Sequence, residues 1–335
     1  MTSDPRRVVF LGAGAIGAGV GGLLWASGVD VLLVARGAHG RALAADGLDL
    51  RLPGGGRHLR VPVGRVEDVR SDDLVVLSTM GHDTTAAVAT LPPDVVLVSF
   101  QNGLAPLEEL ADRPVIAGML YVPAERRAPG VIVLAGAPHP GAIFLGRWPS
   151  GVLGPEVWFA EVLRAAGFRA EVSADIAPWI RAKALTNLGG IHVALCDEPP
   201  IDLLEATVEE ARACFRAQGV DVIADAEFDA RIGPMEVVAV DGRPRVGGST
   251  RHALARGDRL ETEWLHGYFV RLGERLGVPT PINAALVGLA ARATTERWCA
   301  GALSAEELRR ALSPGVGAPR PPIADACSNP AIGGG

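Results

Sequence analysis

The 335-residue sequence predicts an α/β protein: a doubly wound parallel sheet over residues 1–174, followed by an all-α part over residues 175–311. Three observations carry that expectation. Short uninterrupted apolar runs, such as Val8-Val9-Phe10-Leu11 and Val31-Leu32-Leu33-Val34, read as strands buried on both faces, as parallel strands are. A helical stretch stands between these two runs. Strand, helix and strand thus fit within about 30 residues, the length of one right-handed βαβ unit. From about Asp175 strand signals fade and long helical periods take over.

The elements follow in order. Residues 15–27 read as a helix closed by Gly28 at its C-terminal end. Residues 48–52 and 58–63 alternate in polarity on either side of Pro53-Gly54-Gly55-Gly56, which predicts a hairpin at the rim of the sheet. Residues 74–77 and 95–98 are two more buried strands, with a short helix over 84–90 between them, and residues 115–118, 131–134 and 142–145 read as later strands. Helical periods cover 176–194, 206–218, 260–276 and 282–293. Residues 312–335 are rich in Pro and Gly and poor in large apolar residues, the composition of a loosely ordered tail.

Composition narrows the function classes. Hydrophobic residues make up 48% and charged residues 21%, enough for a large core, and the net charge of −6 argues against a nucleic-acid binder. Four scattered cysteines (Cys196, Cys214, Cys299, Cys327) without CxxC spacing argue against a disulfide scaffold or a structural zinc site and favour a reducing, cytoplasmic setting. The start MTSDPRR does not read as a secretory signal, and no apolar run has the length of a membrane span. No histidine pair has metal-ligand spacing, the acids show no paired spacing for hydrolysis, and Ser249 lacks a GxSxG context.

The sharpest motif is Gly12-Ala13-Gly14-Ala15-Ile16-Gly17, a GxGxxG that follows a strand and opens a helix. The first glycine permits the tight turn, the second lets a pyrophosphate approach the backbone, and the third lets helix pack on sheet, with the helix N-terminus facing the anion. In that context the motif reads as a Rossmann-like dinucleotide site. At the end of the second strand an NAD site usually carries an acid for the ribose 2′-hydroxyl. This chain has Val34-Ala35-Arg36-Gly37 and no acid until Asp46, so a 2′-phosphate, and hence NADP, suits it better. The competing reading leaves Arg36 as a solvated loop residue.

Farther along stand Gln101-Asn102-Gly103 leading to Leu107-Glu108-Glu109-Leu110, then Pro129-Gly130-Val131, the helix WIRAKALTN over 179–187, Ser249-Thr250, Glu261 twelve residues after Ser249, Leu265-His266-Gly267, and Gly277-Val278-Pro279-Thr280-Pro281. As an ordered series over about residues 7–293, these motifs resemble the ketopantoate reductases, NADP-dependent oxidoreductases of 2-keto and 2-hydroxy acids. The resemblance implies a Rossmann domain followed by a helical domain and a small keto-acid-like substrate, and it leaves a homodimer open. It implies that Lys183 is the general acid and that Asn187 holds substrate. Glu261 becomes a cofactor-side carboxylate near Lys183, Ser249 a donor to the substrate carboxylate, Asn102 a residue where nicotinamide and substrate meet, and Ala124 a cofactor contact. Each has a plainer reading: Lys183 and Asn187 as neighbours on a solvated helix face, Ser249 as a helix N-cap, Asn102 as a turn residue, and Glu261 as one charge of a solvated run.

Three positions depart from the family pattern. Its lysine after the fourth core strand falls at Met80, its second helix asparagine at Ile191, and an aspartate four residues after the serine at Ala253. The changes leave hydride transfer intact but put pantoate itself in question. The expected activity is therefore NADPH-dependent reduction of a 2-keto-acid-like carbonyl. An imine- or opine-type reductase is the alternative, and a non-catalytic dinucleotide-binding protein a third reading.

Overall fold

The structure, a computed structural model, describes residues 7–313. The tail expected over 312–335 therefore lies outside the described residues, apart from Leu312 and Ser313.

The chain begins with β1 (Arg7–Leu11), α1 (Ala15–Ala26) and β2 (Val31–Val34), the βαβ unit expected from the apolar runs. It continues through α2 (Gly37–Ala45), β3 (Leu48–Leu52), β4 (Gly55–Leu59), β5 (Val63–Gly64), β6 (Asp73–Leu77), α3 (Thr84–Val88), β7 (Val96–Ser99), α4 (Ala105–Glu109) and β8 (Val115–Tyr121). Then come β9 (Ala124–Ala128), β10 (Val131–Leu134), β11 (Gly136–Ala137), β12 (Ala142–Arg147), α5 (Pro155–Ala165) and β13 (Arg169–Val172). Eight of these strands form one sheet in the order β13-β12-β8-β7-β6-β1-β2-β5, parallel throughout except where β12 runs antiparallel to β8. The residues of β1 and β6 are all buried, which is why Val8–Leu11 and Leu74–Leu77 are continuous apolar runs rather than alternating ones, while the buried first residues Arg7 and Asp73 pair with each other at 2.7 Å. From β1 the chain winds outward to β2 and β5, then returns to β6 on the other side of β1 and winds away through β7 and β8. The strand order thus reverses between β1 and β6. Ligands of open α/β sheets bind at such a switch point, beyond the carboxyl ends of the strands.

The β3–β4 hairpin forms as expected, but not at the rim of the main sheet: it joins β10 and β9 in a second sheet of order β4-β3-β10-β9. Helix α1 lies between the two sheets. A Cβ on Gly21 would come within 2.9 Å of Leu33 and Phe10 of the main sheet, and one on Gly19 within 2.8 Å of Leu134 of the small one. The run of glycines in α1 is what lets one helix serve two sheets at such close range.

The second half is helical, with α6 (Ala177–Asn187), α7 (Gly189–Leu195), α8 (Ile201–Gln218), α9 (Asp225–Ile232), α10 (Ser249–Ala255), α11 (Thr262–Leu276), α12 (Pro281–Thr295) and α13 (Ala305–Leu312). Among the described residues of this half one strand occurs, β14 (Glu236–Val237), which pairs antiparallel with β11. The chain divides into two compact units: Met1–Lys183 with Val222–Arg245, and Ala184–Asp221 with the chain from Val246 onward. The division thus falls inside α6 rather than before it, and a later segment returns to the α/β unit through β14. The helical unit has its own apolar cluster, centred on Leu195, Leu286, Leu289, Ala293, Trp298 and Leu308. Cys196 and Cys214 are buried free thiols.

Candidate active site and dinucleotide cleft

The glycine loop connects β1 to α1 at the switch point. Gly12 has φ of +100°, and a Cβ there would lie 2.6 Å from the backbone nitrogen of Thr79, just after β6. A Cβ on Gly17 would lie 2.6 Å from both the Gly12 carbonyl oxygen and Ser78 Oγ. Ser78 Oγ in turn donates to the Gly12 carbonyl at 3.0 Å, so the loops after β1 and β6 brace each other. A Cβ on Gly14 would meet nothing nearer than 4.0 Å, which leaves that face of the loop open. Gly14 is the N-cap of α1, with no capping side chain and no acid in the first turn. Such an end keeps its orphan N–H groups and positive dipole end available to an anion.

Before the loop opens a cleft of about 490 Å³, lined by Gly12, Ala13, Gly14, Arg36, His39, Arg65, Thr79, Asp83 and Arg126 among others. Its loop, its volume and its arginines fit a phosphorylated dinucleotide. Arg36 follows β2 with an exposed side chain and reaches Asp83 Oδ2 at 3.1 Å. Arg65 lies beside it, because β5 runs parallel to β2 with Gly64 opposite Val34. Beneath the loop sits His39, 6% exposed. Its Nδ1 accepts the Gly130 N–H at 2.9 Å, so Nε2 carries the proton and donates to the Ala13 carbonyl at 2.8 Å. Burial holds the His39 imidazole below its usual pKa, as that neutral tautomer requires. Sequence reading passed over His39, because its partners lie 26 and 91 residues away.

Asn102 stands just past β7, a central strand, half-buried next to Gly103 with φ of +83°. Its neighbour Gln101 does the bracing: Nε2 donates to Thr84 Oγ1 at 2.9 Å and lies 3.3 Å from the Thr79 and Met80 carbonyl oxygens. Ala124 opens β9 and is 8% exposed. Lys183, partly exposed on α6, holds Nζ 5.2 Å from the centroid of the Tyr121 ring at the end of β8. Burial, and secondarily the Arg245 guanidinium, lowers the Lys183 ammonium to about 8. This is desolvation acting against the charged form. The α/β unit therefore carries Gly12 through Gly17, Arg36, Asn102, Ala124 and Lys183 within one fold.

The helical unit carries Asn187, Ser249 and Glu261. Asn187 ends α6 one turn after Lys183. Ser249 is exposed and is the first helical residue of α10; the N-cap is Gly248, so the capping reading of Ser249 does not hold. Glu261 is the N-cap of α11, and its carbonyl accepts the Trp264 and Leu265 N–H groups at 2.9 and 3.0 Å. Ile191 and Ala253, where the resembled pattern has polar residues, are 1% and 4% exposed and belong to the apolar cluster of this unit. Polar side chains buried there would need hydrogen-bond partners. Arg245, not singled out from sequence, places one guanidinium nitrogen 3.5 Å from the Ala124 carbonyl oxygen.

A glycine loop at a switch point, an arginine-lined cleft and a desolvated lysine define a dinucleotide-dependent oxidoreductase. The profile of the family "Ketopantoate reductase PanE/ApbA" matches residues 8–150, and that of "Ketopantoate reductase PanE/ApbA C terminal" matches residues 181–293. The chain belongs to this family, and with it to the NADP-dependent oxidoreductases acting on CH–OH groups. It is 32% identical to a 2-dehydropantoate 2-reductase of Archaeoglobus fulgidus over 298 residues, covering 85% of this chain and 96% of that protein. It is 28% identical to the 2-dehydropantoate 2-reductase of Mesorhizobium japonicum over 333 residues, 88% of this chain and 99% of that protein. The crystal structure of a PanE/ApbA family ketopantoate reductase from Ralstonia eutropha superposes with a TM-score of 0.73 at 28% identity, covering 87% of this chain and 99% of the other. A ternary structure of D-mandelate dehydrogenase with NADH and anilino(oxo)acetate, at 18% identity, shares the fold with a TM-score of 0.73. Among the described residues no helix is long and apolar enough to cross a membrane.

Proposed function

We propose that the protein reduces the carbonyl of a 2-oxo acid, 2-dehydropantoate or a less polar relative, to the 2-hydroxy acid at the expense of NADPH. The observation that carries this reading is Lys183: a partly desolvated ammonium against Tyr121, with its pKa lowered to about 8, in the same unit as the glycine loop. Bound NADPH supplies the hydride. Hydride addition to the carbonyl carbon moves the π pair onto oxygen, and the alkoxide needs a proton as it forms. Lys183 Nζ–H gives that proton and is restored from solvent. A lowered pKa brings the donor nearer the operating pH, where general acid catalysis works best. In this reading Asn102 and Asn187 orient the carbonyl, Ser249 hydrogen-bonds the substrate carboxylate, and Glu261 and Ala124 contact the cofactor. Arg36 holds the 2′-phosphate and sets the preference for NADPH. Ile191 and Ala253 are buried in the apolar cluster of the helical unit and offer the substrate no polar group where the resembled pattern carries asparagine and aspartate, so the reading includes 2-oxo acids less polar than pantoate's precursor.

The test is NADPH oxidation against 2-dehydropantoate and a panel of 2-oxo acids, each with and without amines, in wild type and Lys183→Met. Turnover of 2-oxo acids without amine, cut by about 10²–10⁴-fold in kcat in the variant with NADPH affinity kept, is the expected result. An absolute requirement for amine would replace carbonyl reduction with imine reduction.

A further inference from the structure

His39 ties two distant pieces of backbone together through one ring. Its Nε2–H donates to the Ala13 carbonyl at 2.8 Å, inside the glycine loop, and its Nδ1 accepts the Gly130 N–H at 2.9 Å, in the turn between β9 and β10. The far end of this strut is firm. Gly130 has φ of +79°, its carbonyl accepts the Asp49 N–H of β3 at 2.8 Å, and a Cβ there would lie 3.4 Å from Ala42 Cβ of α2. The ring reaches the loop because α2 packs tightly against the end of β2: a Cβ on Gly40 would collide with the Ala35 carbonyl. The near end acts on one peptide unit. The Ala13 C=O and the Gly14 N–H point opposite ways across a trans peptide. His39 holds the first, and the Gly12 carbonyl accepts the second at 2.7 Å, while the Ala13 N–H goes to the Val34 carbonyl at 2.9 Å. Gly14 is the N-cap of α1, so the plane of that peptide sets the direction in which the first turn of the helix starts.

We propose that His39 is a positioning residue for dinucleotide binding: the neutral imidazole fixes the Ala13–Gly14 peptide against the β9–β10 turn and so holds the N–H groups at the start of α1 ready for the pyrophosphate. The role requires a bound dinucleotide and no particular substrate. Its physical basis is preorganisation, since a loop already in its bound conformation loses less freedom on binding. A neutral imidazole is a rigid ring with a donor at one edge and an acceptor at the other, and here both edges are used in a site only 6% exposed. Protonation would set Nδ1–H against the Gly130 N–H, two donors facing each other. Arg126 on β9 opposes that protonation, and Arg36, Arg65, Glu67 and Asp83 line the same cleft. Because the strut prepares backbone N–H groups, it serves NADPH and NADH alike, unlike Arg36, whose proposed partner is the 2′-phosphate alone.

Two substitutions in the full-length protein separate the ends of the strut. His39→Gln puts an amide N–H where Nε2–H stood and keeps the bond to Ala13. His39→Asn puts an amide oxygen where Nδ1 stood and keeps the bond to Gly130. Each is compared with wild type by thermal melting, by fluorescence titration of NADPH and of NADH, and, without cofactor, by hydrogen exchange of the glycine loop and of the β9–β10 turn. In His39→Asn the loop amides should exchange faster, and both dinucleotides should bind about tenfold more weakly, by the same factor, as for one buried hydrogen bond lost. His39→Gln should keep the loop protected and recover most of the affinity, with the faster exchange moved to the β9–β10 turn. Equal affinity loss in the two variants, or a loss that tracks the melting temperature, would leave His39 with a structural role only. Loss for NADPH with NADH untouched would place His39 at the 2′-phosphate and overturn the strut. Titrating NADH from about pH 8 to 6 tests the rival role of a cationic phosphate ligand: affinity that rises as pH falls in wild type but not in His39→Gln would establish that role and overturn the neutral strut, and no such rise is expected. Loop exchange unchanged in His39→Asn would overturn it as well, whichever dinucleotide binds.

Discussion

The glycine-loop wall of the α/β unit and the buried polar network of the helical unit are both specific, but they are built from opposite materials. The wall is backbone: a glycine with φ of +100°, a helix end without a side-chain cap, and two loops braced through Ser78 Oγ and the Gly12 carbonyl. The network is side chains from distant helices. His192 on α7 reaches Thr207 on α8 at 3.0 Å, His266 on α11 reaches Asn283 on α12 at 2.8 Å, and Asn283 donates to the Thr207 carbonyl and to Glu210 Oε2. Glu210 also accepts the Ile282 and Asn283 N–H groups, capping α12 from α8. Backbone sites bind anions and tolerate changes of pH. A network with two buried imidazoles works only while both are neutral.

That difference predicts the largest effect, acid sensitivity of the helical unit. Burial lowers both His192 and His266 from 6.5 to about 4. The folded state therefore binds these protons later than the unfolded chain. Stability is intact above about 6.5 and falls as pH drops from there toward 4. At pH 5 each histidine costs about 2 kcal/mol relative to pH 8, so about 4 kcal/mol for the pair. Urea melts at pH 8, 6.5, 5.5 and 5 check this, and a flat free energy over that range would mean that the two imidazoles are solvated or charged in the fold.

The wall should break instead on a single methyl group. Gly12→Ala adds a Cβ 2.6 Å from the Thr79 backbone at a φ that L-residues avoid. Strain and overpacking together come to about 3 kcal/mol, which should show as a loss of NADPH affinity of about a hundredfold or more. Gly28→Ala is the control: its φ of +90° brings the same strain, but a Cβ there meets nothing within 4 Å. If the two variants bind NADPH alike, close approach at the switch point is not what Gly12 provides.

The contrast also explains what could be read from the sequence. The glycine loop, its flanking strands and the absence of an acid after Val34 are local features within about 30 residues, so pattern and geometry coincide. The parallel strands of the main sheet were legible for the same reason, since burial on both faces leaves unbroken apolar runs. The β3–β4 hairpin was legible as a hairpin but not as part of a second sheet, because its partner β10 lies some 80 residues on and nothing local records that pairing. His39 looked like any helical histidine until Gly130 and Ala13 closed around it. Lys183, Asn187, Ser249 and Glu261 become candidates only through their ordered resemblance to a family, because helical spacing alone does not separate a catalytic lysine from a solvated one. Arg245 carried no local signal, because its contact at Ala124 lies 121 residues earlier in the chain.

Cofactor selectivity sharpens the comparison at a smaller scale, because there a side chain is added to a backbone site. Arg36→Ala should weaken NADPH about ten- to a hundredfold and leave NADH nearly unchanged, for loss of a charge-assisted hydrogen bond of about 1.5–3 kcal/mol. Asp83, paired with Arg36 at 3.1 Å, would compete with the 2′-phosphate that the proposed function places on that guanidinium. Asp83→Asn should therefore tighten NADPH by a few-fold. Fluorescence titration of both cofactors reads both changes; equal loss of NADPH and NADH in Arg36→Ala would return Arg36 to a solvated loop residue.

The smallest effect concerns Met80, where the resembled pattern carries a lysine. Met80 is the N-cap of the short turn Gly81–Asp83, and its carbonyl accepts the Asp83 N–H at 3.0 Å, with Gln101 Nε2 at 3.3 Å. The backbone at this position is thus held from two sides, while the side chain is only partly buried. Met80→Lys should leave the turn in place and put an ammonium near the wall of the cleft, where Thr79 already faces the cavity. NADPH should bind tighter by about 1 kcal/mol, roughly fivefold, and the gain should shrink as salt is raised, as expected for a partly exposed charge pair. Asp83 offers the new ammonium a second partner three residues away. If the carboxylate captures it, NADPH affinity stays at the wild-type value in Met80→Lys and rises only in Met80→Lys with Asp83→Asn. Titrating NADPH at two salt concentrations into both variants separates these outcomes. Unchanged affinity in both, with melting unaffected, would show that the turn aims this side chain away from the cofactor and that selectivity at the wall is left to the arginines.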